Sequence, residues 1–325
     1  MSECSCHKSI KCKAVKVSAL IKSAIEKKQN GEIVGVYSSC INILTESEKL
    51  ITLFVYMEDT SPIGIISNIN EESSFIDIGI SHGMKVLFDD GKIYIPQAGF
   101  TCDLSQALTA YPSTKLPFFL TERESIDDNL DVLLKTLISA PKPKGACSYI
   151  KEFRGLAFIS SSRKEGGLGA DFLVRIGNLA KSIVDKDAKS IERNLYLTVG
   201  RGIGLTPSAD DVILGISAWI YFLPGAFDKY KVWFESLRVF LEKEGMKRTT
   251  LVSKAYLEYG AKGFFTYVVH SLIASIMGLN KNAVIAAANE MISYGASSGS
   301  DICVGILVGS VITSNKIFEM LQEGK

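Results

Sequence analysis

Two hydrophobic periodicities divide the chain. From about residue 31 to residue 110 the apolar residues come in short runs broken by turn formers. Ile33–Ser38, Leu50–Met57, Ile63–Ser67, Ser74–Ile80 and Lys85–Phe88 are rich in β-branched and aromatic residues, which predicts strands. Asp90-Gly91 stands between Val86-Leu87-Phe88 and Ile93-Tyr94-Ile95, a hairpin signal. Five or six such strands predict a small barrel or sandwich. Ahead of them, Val17, Leu20, Ile21, Ala24 and Ile25 have helical spacing and predict an amphipathic helix over Val15–Lys28, ended by Asn30-Gly31.

Beyond Thr101 the period lengthens. Ser125-Ile126-Asp127-Asp128 reads as a capping pattern before a stripe of Leu130, Leu133, Leu134 and Leu137. Pro141-Lys142-Pro143-Lys144-Gly145 is the strongest breaker, read as a connection around the domain boundary, and Arg163–Gly167 is a second flexible point. Leu168–Val184, Val212–Tyr221, Trp233–Glu244, Leu251–Tyr259, Phe264–Met277 and Asn282–Ile292 all read as helices. The expectation is an α+β protein. A tail and helix (1–30) lead to a small β domain (31–110), a helical connection (111–164) and a mainly α-helical C-terminal domain (165–325).

Composition narrows the function classes. Among 325 residues, 36 basic and 35 acidic side chains leave a net charge of +1, so no global field favours nucleic acid or membrane. The longest apolar run, Val212–Phe227, is short for a span and contains Pro224-Gly225. The first residues lack the apolar region of a signal peptide. A soluble cytoplasmic protein is expected, with Cys40, Cys102, Cys147 and Cys303 as small buried hydrophobes. Cys4, Cys6, His7 and Cys12 are soft-metal donors by type, but their spacing matches no closed zinc site and a frayed terminus explains them. His82 sits in a turn, and His270 among Val268, Val269, Leu272 and Ile273 reads as a core histidine.

The chemistry concentrates in Gly200–Gly215, G-R-G-I-G-L-T-P-S-A-D-D-V-I-L-G. Gly200, Gly202 and Gly204 permit unusual backbone angles and close approach, and Ser208 is placed to cap an apolar helix with Asp211 three residues on. The pattern recurs. Ser298-Gly299-Ser300-Asp301-Ile302-Cys303-Val304-Gly305-Ile306 aligns with Ser208–Ile216 as S-[AG]-x-D-x-x-x-G-I. Two buried helix starts carrying unpaired N–H groups can converge on one anionic or carbonyl-bearing small molecule. On this reading Asp211, Asp301, Thr206 and Ser208 are catalytic candidates, and Arg201, Gly202, Gly204, Asp210, Ser297, Ser298 and Gly299 are binding candidates. Asp210 and Asp211 point about 100° apart on a helix, so Asp211 with Asp301 is the expected carboxylate pair. The bland reading is that these residues only cap and turn.

Other chemistries lack their signatures. A helix rather than a strand precedes the glycines, and Leu205 stands where a dinucleotide loop needs its third glycine. There is no Walker-type Gly-Lys-Ser/Thr, no G-x-S-x-G elbow and no H-E-x-x-H.

The motif G-x-G-x-G-L-T-P-S-x-D-D with a later S-S-G-x-D resembles a bacterial family long known only as a domain of unknown function. That family includes the oxamate carbamoyltransferase subunit encoded among allantoin-utilisation genes. The resemblance runs from about Gly31 and is strongest at Gly200–Gly215, Thr249–Gly260 and Gly295–Gly305. Where the family usually has Pro and Gly, this chain has Ile203 and Ala209. The resemblance implies a subunit of a multi-subunit enzyme that makes oxalurate and phosphate from oxamate and carbamoyl phosphate. It also marks Thr249, Thr250 and Ser253 as site candidates. Aspartates beside a phosphate call for a cation or for donors of their own, so Asp211 and Asp301 are expected to bind a donor or a metal, with Mg2+ as the candidate cofactor. The alternative is a non-catalytic structural or regulatory subunit that binds a metabolite.

Overall fold

The computed structural model describes residues 10–57, 61–70, 72–111, 113–116, 123–140, 145–149 and 168–314. The N-terminal cysteine cluster at 4–7, the Pro-Lys pairs at 141–144 and the segment 163–167 lie outside them. The chain divides into two compact units, Met1–Pro112 and Ser113–Lys325.

The first unit is a closed β-barrel. Its strands are β1 (Ile10–Ser18), β2 (Gln29–Val36), β3 (Cys40–Thr45), β4 (Leu50–Phe54), β5 (Gly64–Ser67), β6 (Lys85–Asp89), β7 (Lys92–Ile95), β8 (Phe100–Asp103) and β9 (Leu108–Ala110). Eight of them form a ring in the order β1-β5-β4-β3-β2-β6-β7-β8, and β8 returns to β1 as a parallel neighbour. β9 pairs in parallel with the next stretch of the same β1 edge. Alternation fills the interior: Val86 and Phe88 on β6, Ile93 and Ile95 on β7, and Phe100 and Cys102 on β8 are buried. The Asp90-Gly91 turn has φ of 48° and 66°, the paired positive angles that a two-residue hairpin needs.

Two sequence expectations fail here. The stretch from Val15 is the end of a strand, and the only helix is the single turn α1 (Lys22–Ile25). A register shift between Ala14 and Lys16 moves the inward face of β1 from even to odd positions. Buried Ala14, Val17, Ile21 and Ile25 therefore recur every three or four residues, which imitates a helix. Ser74–Ile80 forms turns rather than a strand, with Phe75 and Ile80 buried, and β3 is a strand the pattern does not predict.

The second unit is helical. Among the described residues its helices are α2 (Arg123–Ile138), α3 (Leu168–Asp185), α4 (Ala188–Thr198), α5 (Ser208–Phe222), α6 (Ala226–Lys229), α7 (Lys231–Arg248), α8 (Leu251–Gly260), α9 (Tyr267–Ile276), α10 (Lys281–Ser293) and α11 (Ser298–Thr313). Ser125 and Asp127 lie inside α2, so they do not cap it. α5 is apolar on nearly every face and runs through the core against α11, α8 and α9. His270 is half-buried, with Nε2 2.9 Å from the Lys115 carbonyl and its ring edge-on to Phe222. Among the described residues no helix is long and apolar enough to cross a membrane.

α5 and α11 touch at backbone distance. A Cβ on Gly215 would stand 2.1 Å from the Ile302 carbonyl oxygen, and one on Gly305 would stand 2.2 Å from that of Val212. Val212 and Ile302 hold the same position in the repeat, as do Gly215 and Gly305, so the contact is reciprocal. One turn on, a Cβ on Gly309 would meet the Trp219 Cβ at 2.8 Å. Only glycine at these positions lets the two helices lie this close.

Candidate functional site

The glycine contact sets what happens at the helix starts. With Gly215 against Gly305, the residues one turn earlier, Asp211 and Asp301, share one buried region. Each copy of the repeat serves the other. The Ser298 hydroxyl stabilises the charged form of Asp211, and the Ser208 hydroxyl does the same for Asp301. Thr206 joins through a 2.7 Å hydrogen bond between its Oγ1 and Ser298 Oγ.

Ser208 is therefore not the cap that local sequence suggested. The N-cap position of α5 is Pro207, which has no side chain to offer, and Ser208 turns toward the other helix. The start of α11, at Ser297, also lacks a side-chain cap bond; its carbonyl accepts from Asp301 N at 2.9 Å and Ser300 Oγ at 2.7 Å.

A third backbone end closes on Asp301. The 3-10 turn Gly145–Tyr149 points its first N–H groups at the carboxylate, so that Oδ1 accepts from Ala146 N at 2.7 Å and Cys147 N at 3.4 Å. Gly145 has φ of 59°, and a Cβ there would fall 2.3 Å from Asp301 Oδ2 and 2.6 Å from Ser208 Oγ. Sequence reading saw only a connection here and missed these residues. The available signal was a glycine directly after a Pro-Lys-Pro-Lys breaker.

The electrostatics follow from burial. Desolvation raises the Asp211 carboxyl well above its ordinary value; the neighbouring Asp301 charge adds to the rise, and Ser298 and Thr206 oppose it. Burial likewise lifts Asp301 to about 6, against Ser208 and the Ala146 and Cys147 N–H groups. None of these groups is basic. Oδ2 of Asp211 and Oδ2 of Asp301 are both buried with no hydrogen-bond partner among the described residues. Such acceptors are costly as they stand, which makes the pair a candidate ligand site.

Asp210 is a contrast one residue away. Its Oδ1 accepts from Gly200 N at 2.7 Å, and its Oδ2 accepts from Ser253 Oγ at 2.6 Å and from Thr249 Oγ1. Burial raises its pKa, opposed by those same donors. Asp210, Thr249 and Ser253 thus form a closed knot that ties α5 to the glycine loop and to α8. Thr250 caps α8 through Ser253 N at 3.0 Å.

The glycine loop covers the α5 start. Gly200, Gly202 and Gly204 have φ of 80°, 125° and 100°. A Cβ on Gly202 would come within 2.4 Å of Ser208 N, so the loop backbone lies directly on the helix terminus. Arg201 is exposed, donates from Nε to the Leu197 carbonyl at 3.3 Å and lowers the Asp171 pKa. Ile203, at the loop tip, is 91% exposed. Gly299 is a packing residue: a Cβ there would meet the Met291 carbonyl oxygen at 1.6 Å.

Residues 198–310, which hold both helix starts, match the family model described as oxamate carbamoyltransferase subunit AllH, and residues 12–110 match the AllH family N-terminal domain. The chain belongs to the AllH family. The match brackets the glycine loop, the Asp210 knot and both Ser-Asp pairs within one family domain, and the barrel forms the other. No solved structure matches the chain.

Proposed function

We propose that this AllH-family chain is a carbamoyltransferase subunit whose substrates meet at the paired starts of α5 and α11. The reaction is transfer of a carbamoyl group from carbamoyl phosphate to oxamate. A bond forms between the oxamate amide nitrogen and the carbamoyl carbon, the carbon–oxygen bond to phosphate breaks, and the amide nitrogen loses a proton. The products are oxalurate and phosphate. The observation that supports this reading is the crossed Ser208–Asp301 and Ser298–Asp211 arrangement, with one orphan oxygen on each carboxylate.

In this reading the orphan oxygens face the donor side of the chemistry. A carboxylate there receives the amide proton, for which a raised pKa is suited. Arg201, Gly202, Gly204, Ser297, Ser298 and Gly299 surround the two helix starts, where backbone N–H groups favour anions. A proton held by one member of the Asp211–Asp301 pair lowers the repulsion toward a phosphate and leaves the other carboxylate to receive the amide proton. The family name also implies that further subunits complete the enzyme.

A second reading, a structural or regulatory subunit, draws support from the Asp210 knot and the Gly215–Gly305 contact, which explain those residues by packing alone. Thermal denaturation with carbamoyl phosphate, phosphate, oxamate and oxalurate separates the two. A rise in melting temperature with these ligands, lost in Asp211→Asn and Asp301→Asn, is the expected result for a substrate site. A well-folded chain that none of them stabilises leaves the structural reading.

A further inference from the structure

We infer that Asp211 and Asp301, with the hydroxyl oxygens of Ser208, Ser298 and Thr206, form a binding site for one divalent cation of the magnesium and manganese class. Burial, the unpartnered oxygens and ligand chemistry carry the inference. Two carboxylates from different helices lie in one region, 3% and 0% exposed, and each keeps an oxygen with no donor. Among the described residues, the groups acting on them are hydroxyls, backbone N–H groups, Asp210 and each other, with no lysine, arginine or histidine. Helix starts supply only partial positive charge. Ionising both carboxylates at this depth requires a counter-charge, and a bound cation would supply it.

The donor set selects the cation. Carboxylate and hydroxyl oxygens are hard ligands, suited to magnesium, manganese or calcium rather than to zinc or copper. A serine or threonine hydroxyl that donates its hydrogen to a carboxylate keeps its lone pairs for a metal, so the crossed Ser–Asp contacts are compatible with coordination. The bidentate-acid triads of closed metal cages are absent: no group of three His, Cys, Asp or Glu forms a metal cluster among the described residues. Two protein carboxylates with water or substrate oxygens completing the shell is the arrangement magnesium prefers.

The inference stands on the geometry of the pair, independently of carbamoyl transfer. The test is direct titration of EDTA-treated full-length protein with Mn2+ alone, read by calorimetry and by the electron paramagnetic signal of free Mn2+. The expected result is one saturable site per chain, competed by Mg2+, abolished in Asp301→Asn and weakened at least tenfold in Asp211→Asn. Ser298→Ala keeps both charges and the fold and should weaken binding several-fold, so the test survives if an aspartate variant does not fold. Asp128→Asn, a surface acid paired with Lys281, should leave binding unchanged. Folded wild-type protein with no saturable Mn2+ site overturns the inference, as does binding that persists in both Asp301→Asn and Ser298→Ala. Stabilisation of EDTA-treated protein by carbamoyl phosphate or oxamate would keep the carbamoyl reading while a failed titration sinks the cation. Mn2+ binding with no response to either substrate would give the reverse.

Discussion

Gly215 and Gly305 meet so closely that the built Cβ of either would stand 2.9 Å from the Cα of the other. That contact holds the helix starts together one turn away, so the site and the core packing have a common origin. Gly215→Ala or Gly305→Ala must push α5 and α11 apart. Overpacking of this kind destabilises by about 1–3 kcal/mol, with the upper end expected here because the clash is with backbone. Chemical denaturation measures it. Gly245→Ala on α7 is the comparison: its added Cβ meets only the flexible Lys254 side chain, at 3.1 Å. That change should be neutral or slightly stabilising, since alanine favours helix by up to about 1 kcal/mol.

Adjacent aspartates should respond in opposite directions. Asp210→Ala leaves Gly200 N, Thr249 Oγ1 and Ser253 Oγ without their acceptor, a loss of about 2–4 kcal/mol for buried donors. Asp211→Asn removes an ionisable carboxyl whose charged form burial and the Asp301 charge both disfavour. In metal-free protein it should stabilise by about 1 kcal/mol, roughly 2–4 °C in melting temperature. Equal destabilisation by both changes would show that Asp211, too, is a satisfied structural residue.

Asp301 gives a pH dependence with a definite sign. Its folded pKa of about 6 lies above an unfolded value near 4, so the folded state holds more protons between them. The contribution is complete below ~4 and is lost as pH rises through ~6, on the order of 2–3 kcal/mol in all. EDTA-treated wild-type protein should therefore lose stability from this group between about pH 4 and 7. Urea midpoints across that range for wild type and Asp301→Asn measure the difference, and the variant should show a flatter profile.

The barrel has its own test. Gly91 carries φ of 66° at the turn between β6 and β7, with open space around it. Gly91→Val sets a β-branched residue in the left-handed region and should destabilise by about 1–3 kcal/mol through backbone strain alone. Asp90→Gly, at φ of 48°, should be tolerated.

The sequence by itself determined the local features and the repeat. Strand alternation from Lys85 to Ile95, the Asp90-Gly91 hairpin and the helices from Leu168 onward were legible because each depends on neighbours a few residues away. The S-x-x-D-x-x-x-G repeat marked both helix starts and both glycines. Where a local pattern had two causes, the sequence misled: the bulge in β1 produced helical spacing, and Ser208 carried the signature of a cap. Barrel closure required β1 to pair with β5, β8 and β9, contacts far apart in the chain that no periodicity encodes. Tertiary structure alone decided which aspartate is satisfied. Asp210 and Asp211 are identical and adjacent, yet one faces Gly200, Thr249 and Ser253 while the other faces Asp301 and Ser298. It also brought Gly145, Ala146 and Cys147 onto Asp301 across more than 150 residues. Helical geometry points neighbouring side chains about 100° apart, and only packing decides what each direction meets.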